Sequence, residues 1–219
     1  LRDGGYHIDF QFTAKETAVV ARRLDEAGYD YIEVGHGLGL GASGPSHGVA
    51  AATDEQYIEA AAGAVKKART GAFFIPGIGT KEQLRRARRL GLGLIRIGTN
   101  VTQSALARPY IEYAKELGLE VSYNFMKSYA VSARRFAEIA AEAASWGADS
   151  LVIVDSAGGM LPHEVRDFVK KTRELCSKPV GIHAHNNLQL AVVNTLEAIS
   201  AGASIIDVSL RGMGRSAGN

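Results

Sequence analysis

The stretch GIHAHNNLQLA, residues 181–191, ends an aliphatic run with two histidines on either side of one alanine. Side chains alternate faces along a strand, so His183 and His185 project together while Ala184 faces away. Two imidazoles placed this way at a strand end either satisfy local hydrogen bonds or share one metal ion. The chain opens on a second group able to do chemistry, LRDGGYH, in which Arg2 and Asp3 are adjacent and Tyr6 and His7 follow. One carboxylate and two imidazoles suit a six-coordinate divalent ion such as Mn²⁺, Mg²⁺ or Co²⁺, provided the fold brings the two ends of the chain together.

The elements that must do this are written as one repeated phrase: an amphipathic helix, a glycine, a short gap and an aliphatic run. It appears as LDEAGYDYIEVGHG (24–37), ARRLGLGLIRIGTN (87–100), AKELGLEVSYNFMKS (114–128), AASWGADSLVIVDSAG (143–158) and AISAGASIIDVSLRG (198–212). Gly28, Gly91, Gly118, Gly147 and Gly202 suit helix C′ positions, where positive φ carries no Cβ penalty. The aliphatic runs are nearly continuous, as in parallel strands buried on both faces. Strand cores are expected near 30–35, 72–76, 93–98, 120–125, 150–154, 179–184 and 204–209. Helices are expected near 14–27, 54–68, 80–90, 103–117, 132–146, 162–176 and 188–201. Their starts include Thr13 with Glu16 three residues on, Thr53, Ser132, and Pro162 in a first turn.

If Leu1 is the last residue of a clipped strand, the strands number eight, and the sequence stops at Asn219 before an eighth helix. The expected fold is therefore a (β/α)8 TIM barrel, a single catalytic domain over residues 1–219, clipped in its first strand and lacking the eighth helix. An open doubly wound sheet would not predict so even a repeat, and no G-x-G-x-x-G follows the first strand. Barrel active sites form at the C-terminal strand ends. Here those ends read RDGGYH (2–7), EVGHG (33–37), RIGTN (96–100), NFMKS (124–128), DSAGG (155–159), HAHNN (183–187) and LRGMGRSAGN (210–219), which puts Asp3 and both histidines on one rim.

Composition is that of a soluble globular protein, 46% apolar and 22% charged, with a formal net charge of +2. Basic residues are spread over helical faces such as KEQLRRARR (81–89), so nucleic acid is not an expected partner. The sequence shows no signal-peptide pattern and no apolar run long enough to span a bilayer. Cys176 stands alone, which rules out an internal disulfide and fits a reduced, cytoplasmic setting.

LRDG at a first strand end with HAHNN at a seventh resembles the signature of the DRE-TIM metallolyases. QFT (11–13), DEAGYDYIEVGHGLGLG (25–41), PGIGT (76–80), VDSAGGMLP (154–162) and RSAGN (215–219) resemble the 4-hydroxy-2-oxovalerate aldolase branch, along essentially the whole chain. The resemblance implies that Asp3, His183 and His185 hold the metal, Mn²⁺ first among the candidates, with Asn219 able to reach it. It implies cleavage of a 4-hydroxy-2-oxo acid to pyruvate and an aldehyde through a metal-bound pyruvate enolate, with Arg2 stabilising the enolate charge and Ser156 set against the substrate carboxylate. It further implies a homo-oligomer, and an acylating aldehyde dehydrogenase as partner through a C-terminal domain absent from this sequence. The branch carries a histidine as base two positions after the glycine of LRDG. Here that position is Tyr6, with His7 one residue later, so both are candidate bases.

Plainer readings stand beside these. Arg2 and Asp3 could simply pair at the barrel mouth, Ser156 could be a loop-turn residue, and Glu33 is read as holding Arg2 or neighbouring loops rather than transferring protons. Lys127 at a strand end could form a Schiff base in a metal-independent aldolase. A Claisen-type reaction with an acyl-CoA would keep the metal, although no CoA site is recognisable. The loop GHGLGLGASGPSHG (35–48) lacks the Lys-Ser/Thr of a P-loop, and its glycines are expected to shape a loop over the mouth.

Overall fold

The computed structural model describes residues 1–219. Seven helices and seven strands alternate: α1 (Ala14–Glu26), β1 (Tyr31–Val34), α2 (Asp54–Ala64), β2 (Arg69–Phe74), α3 (Lys81–Arg89), β3 (Leu94–Asn100), α4 (Arg108–Glu116), β4 (Glu120–Met126), α5 (Ala133–Ser145), β5 (Ser150–Asp155), α6 (Pro162–Leu175), β6 (Val180–Ala184), α7 (Ala191–Ala201) and β7 (Ile205–Ile206). The strands form one parallel sheet in chain order, β1 to β7. This is the curled sheet and outer helix layer of a TIM barrel. It stays open between β1 and β7, and a cavity of about 280 Å³ lies in the seam.

Local chemistry explains the boundaries. Thr13, Thr53 and Thr80 each accept from the backbone three residues on, while Glu16, Gln56 and Gln83 return a side-chain acceptor to the cap. Ser132 caps α5, and Pro162 begins α6. All five repeat glycines have positive φ, from 72° at Gly118 to 107° at Gly147, which ends each helix and turns the chain into its strand.

Several boundaries differ from the sequence expectation. Leu1 is not in a strand; Asp3–Ile8 form a 3₁₀ helix, and the segment touches the sheet by a single ladder-like bond from Arg2 N–H to the Glu33 carbonyl (3.0 Å). The last strand is two residues long rather than six. The helix expected over 103–117 divides into a 3₁₀ turn, Val101–Ala107, and α4, whose second residue is Pro109. Proline has no N–H to continue the earlier turn, so the regular helix starts afresh around it. No helix is long and apolar enough to cross a membrane.

Alternation along the strands divides the molecule into an apolar outer layer and a polar interior. On β4, Tyr123 and Phe125 face the helices, where Phe125, Phe136 and Phe168 form a chain of ring contacts at 4.9 and 5.2 Å. Ser122 and Asn124, which alternate with them, face inward and are also buried. Ile32 and Val34 of β1 pack outward with Tyr57 and Ala61 of α2, which leaves Glu33 inward. Burying an aromatic such as Phe136 in this layer is worth roughly 3–5 kcal/mol against alanine. The outer layer holds the fold together; the inward positions are free for chemistry.

Candidate active site

Asp3, His183 and His185 are all buried, and one potential ligand atom from each lies within 4.8 Å of the others. The separation in sequence is closed by the curl of the sheet, which carries the end of β6 round to the segment at β1. His183 Nδ1 bonds Asp207 Oδ2 at 2.8 Å, and His185 Nδ1 faces the Gly218 carbonyl at 3.1 Å. A ring nitrogen facing a carbonyl must carry the proton, so His185 is the Nδ1–H tautomer and its Nε2 keeps a lone pair. Burial and neighbouring His183 push the His185 pKa down, which keeps the ring neutral as a ligand must be. Asp3 Oδ2 is buried without any hydrogen-bond partner. An orphaned carboxylate oxygen beside two imidazoles is a donor set that fits a divalent cation.

Arg2 sits beside this triad. Its Nε donates to Glu33 Oε2 (3.0 Å), and its Nη1 donates to Asp3 Oδ1 (3.2 Å) and the Gly37 carbonyl (3.3 Å). Its guanidinium carbon lies 4.4 Å from the centroid of Phe73. Gly98 makes room for that ring, because a Cβ there would overlap it. Nη2 takes no partner from the protein and is the edge left for a ligand. Burial opposes the charge on Arg2, but Glu33 and Asp3 outweigh it and raise its pKa. Burial likewise opposes ionisation of Asp3, yet Arg2 and the histidines hold its pKa down.

Behind these groups runs a buried ionic chain of which the sequence reading anticipated only the Glu33–Arg2 link. Glu33 accepts from Arg2 and from Arg96 Nη1 (3.3 Å), Arg96 also pairs with Asp207 and Asn124, and Asp207 holds His183. Arg96 is buried and Asp207 keeps a 13% exposed side chain, so neither is left to be balanced by water. Asp207 resists burial, but Arg96 and His183 drive its pKa down. The available signals were a charge inside an aliphatic run, LIRIG, and an acid closing another, SIIDV.

The remaining candidates separate. Tyr6 and Ser156 line a small cavity of about 60 Å³ with Arg2, Asp3, His183 and His185. Burial raises the Tyr6 pKa despite Arg2 and Arg215 nearby, so its phenol is protonated at neutral pH. His7 is exposed and outside the cavity; its Nδ1 accepts from Gly214 N–H (3.2 Å). Asn219 donates its amide to the Ala184 carbonyl (3.0 Å), at the end of the strand that carries the histidines. Lys127 is exposed, outside the cavity, and held by its backbone N–H to Ser156 Oγ (2.9 Å). Asn186 caps the start of α7 at Ala191 N–H (3.2 Å). The loop 35–48 does pack on the mouth: Leu40 N–H donates to the Phe73 carbonyl (2.9 Å), and at Gly39 (φ 95°) a Cβ would strike that same carbonyl.

The whole chain, residues 1–219, matches the HMGL-like family. It is 48% identical over its full length to the 4-hydroxy-2-oxovalerate aldolase of Pelotomaculum thermopropionicum and 44% identical to that of Carboxydothermus hydrogenoformans, and it spans 65% of the length of each. Among solved structures, an N-terminal domain assigned as an aldolase from Bacteroides vulgatus superposes with a TM-score of 0.78 at 28% identity, covering 99% of this chain and 73% of the other. The carboxyl transferase domain of Rhizobium etli pyruvate carboxylase superposes with a TM-score of 0.80 at 16% identity, covering 97% of this chain and 39% of the other, which shows a shared fold.

Proposed function

The chain belongs to the HMGL-like family, and on that premise we propose that it is a divalent-metal-dependent aldolase that cleaves a 4-hydroxy-2-oxo acid to pyruvate and an aldehyde. The observation that carries this reading is the buried Asp3, His183 and His185 cluster sharing one cavity with the free edge of Arg2. The name of the relatives, 4-hydroxy-2-oxovalerate aldolase, supports the same substrate class.

When bound, a divalent ion, with Mn²⁺ the best fit to this mixed donor set, supplies positive charge that polarises the 2-oxo acid head. The residues of the chain account for the rest. Ser156 Oγ and Arg2 Nη2 orient the carboxylate and 2-oxo groups. As the C3–C4 bond breaks, its electron pair passes to C3 and on to the 2-oxo oxygen, giving a pyruvate enolate and an aldehyde. Arg2, fixed by Glu33, Asp3 and Phe73 before substrate arrives, meets that developing charge without reorganising. Such a donor is worth roughly 3–4 kcal/mol, or a few hundredfold in rate. The 4-hydroxyl proton passes to Tyr6 Oη as Tyr6 releases its own to solvent at the mouth, and the enolate takes a proton at C3. His7, bound to Gly214, holds the 210–219 loop.

The test is pyruvate release from a panel of 4-hydroxy-2-oxo acids with added Mn²⁺, paired with solvent exchange of the methyl protons of pyruvate. Both reactions are expected to stop in EDTA and to return with metal. Arg2→Lys is expected to lower kcat far more than it raises KM and to suppress exchange, because lysine keeps the charge without the planar fork. Full activity in EDTA with trapping by borohydride would overturn the proposal in favour of a Schiff base.

A further inference from the structure

We propose that Arg215 makes this site selective for 4-hydroxy-2-oxo acids that carry a second carboxylate on C4, so that the aldehyde released is an aldehyde acid. The inference rests on the aldolase reading above and extends it from the oxo-acid head to the other half of the substrate.

The cavity has two cations and one carboxylate. Arg2, Arg215 and Asp3 all line it. Arg2 is neutralised by Glu33 and Asp3. Arg215 belongs to no ion pair, and its side chain is the one unpaired positive charge at the site. The two arginines also differ in depth. Arg2, Asp3, His183 and His185 are buried and form the floor, whereas Arg215 is exposed and stands at the mouth.

Depth assigns each cation to one end of the substrate. The oxo-acid head belongs at the floor, with the triad and Arg2. Tyr6, set to meet the 4-hydroxyl, is half-buried and lines the same cavity as Arg2 and Arg215. A substrate with its head on the floor and its C4 hydroxyl at Tyr6 therefore presents its C4 substituent to Arg215. A methyl group there leaves the guanidinium with nothing but water, while a carboxylate gains a charge-assisted hydrogen bond.

Arg215 is also held in place. Gly214 is tied to His7 on one side. On the other, the Gly218 carbonyl takes both His185 Nδ1 (3.1 Å) and Asn186 N–H (3.0 Å). A guanidinium on a backbone pinned at both ends loses less freedom on binding than one on a loose loop. The reaction itself is unchanged: the C3–C4 bond breaks, its electrons pass to the pyruvate half, and the 4-hydroxyl loses its proton to leave the aldehyde.

The experiment compares kcat/KM of the full chain, loaded with Mn²⁺, for 4-hydroxy-2-oxoglutarate and 4-hydroxy-2-oxopentanoate, which differ in having a carboxylate or a methyl on C4. The wild type is expected to favour the diacid. Arg215→Gln is expected to lower kcat/KM for the diacid roughly ten- to a hundredfold further than for the methyl substrate, the range for one hydrogen bond to a charged group. Arg215→Lys should recover part of that preference, which a merely structural role would not produce. Equal losses on the two substrates would overturn the proposal, since that is the signature of a group holding the shared oxo-acid head or the loop. A wild type that prefers the methyl substrate would overturn it as well, with the aldolase reading intact. Absence of both cleavage and pyruvate proton exchange would remove the aldolase reading and this inference with it.

Discussion

Replacing Asp207 by alanine separates two jobs that one carboxylate performs. Asp207 orients His183 through Nδ1 at 2.8 Å, and it neutralises Arg96, whose side chain is 9% exposed. Removing one partner of a buried ion pair costs about 3–5 kcal/mol when the survivor is left alone. Arg96 keeps Asn124 and a share of Glu33, which reduces the cost to about 2–3 kcal/mol, equivalent to roughly 5–10 °C in Tm for a chain of this size. Loss of an outer partner to a ligating histidine costs about 10- to 100-fold in metal affinity. The double variant Asp207→Ala, Arg96→Met removes both charges and should regain much of the stability, because a buried pair and an apolar replacement are often close in energy. It should not regain the affinity, because His183 remains unoriented. Thermal unfolding without metal and calorimetric titration with Mn²⁺ read the two quantities independently. Affinity in Asp207→Ala within threefold of wild type would refute the orienting role, and a double variant no more stable than the single would refute the ionic one.

Tyr6→His puts a base with an ordinary pKa near 6.5 where a protonated phenol now stands, so kcat for cleavage is expected to rise about tenfold or more near pH 7.5, measured by pyruvate release; a fall would show that the phenol does more than pass a proton. Asp25 accepts three backbone N–H bonds, from Lys66, Lys67 and Ala68, which depress its pKa. A depressed carboxylate stabilises the fold above its unfolded pKa and loses that contribution as pH falls, so unfolding of Asp25→Asn should vary less than wild type between about pH 5 and 3; parallel curves would refute the role. Val192, Leu196 and Ile199 of α7 form an exposed stripe, 72, 59 and 48% accessible. The chain should therefore self-associate or bind a hydrophobic dye, and Val192→Glu with Leu196→Glu should suppress this in light scattering. A monodisperse wild-type chain that binds no dye would contradict it. Mn²⁺ should slow hydrogen exchange at Gly5 and Phe10, whose amides bond within the segment carrying Asp3; equal exchange with and without the ion would place Asp3 outside the metal site.

What could be read from the sequence was what local chemistry decides. The five glycines, the Thr13, Thr53 and Ser132 caps and the His183-x-His185 alternation depend on neighbours a few residues away, and each stands where its spacing placed it. Strand ends were less legible, because they depend on which neighbour continues the ladder; β7 stops after two residues where its pairing with β6 ends. Arg96 and Asp207 lie 111 residues apart and meet across the sheet interior, so the aliphatic run around each marks a buried charge but does not name its partner. Adjacency gave no means of ranking Tyr6 against His7. The 3₁₀ turn does, by sending one side chain into the cavity and the other to Gly214.

The buried charges explain why a cation suits this interior. Arg215 is exposed at the mouth, and the only buried arginines facing Glu33, Asp207 and Asp3 are Arg2 and Arg96, so the buried groups carry one negative charge in excess, and the unpartnered Asp3 oxygen places it at the triad. Protonating His185 could offset it, but burial and His183 work against that. Protonating Asp3 could also offset it, but Arg2 works against that. A divalent ion meets the excess without either proton and satisfies the orphaned oxygen at the same time. The same ion would join the two sides of the seam, since Asp3 belongs to the segment beside β1 and the histidines to β6, next to β7. In a sheet that does not close by strand pairing, the Arg2, Glu33, Arg96, Asp207 and His183 chain supplies a connection, to which an ion held by Asp3, His183 and His185 would add a second at the rim.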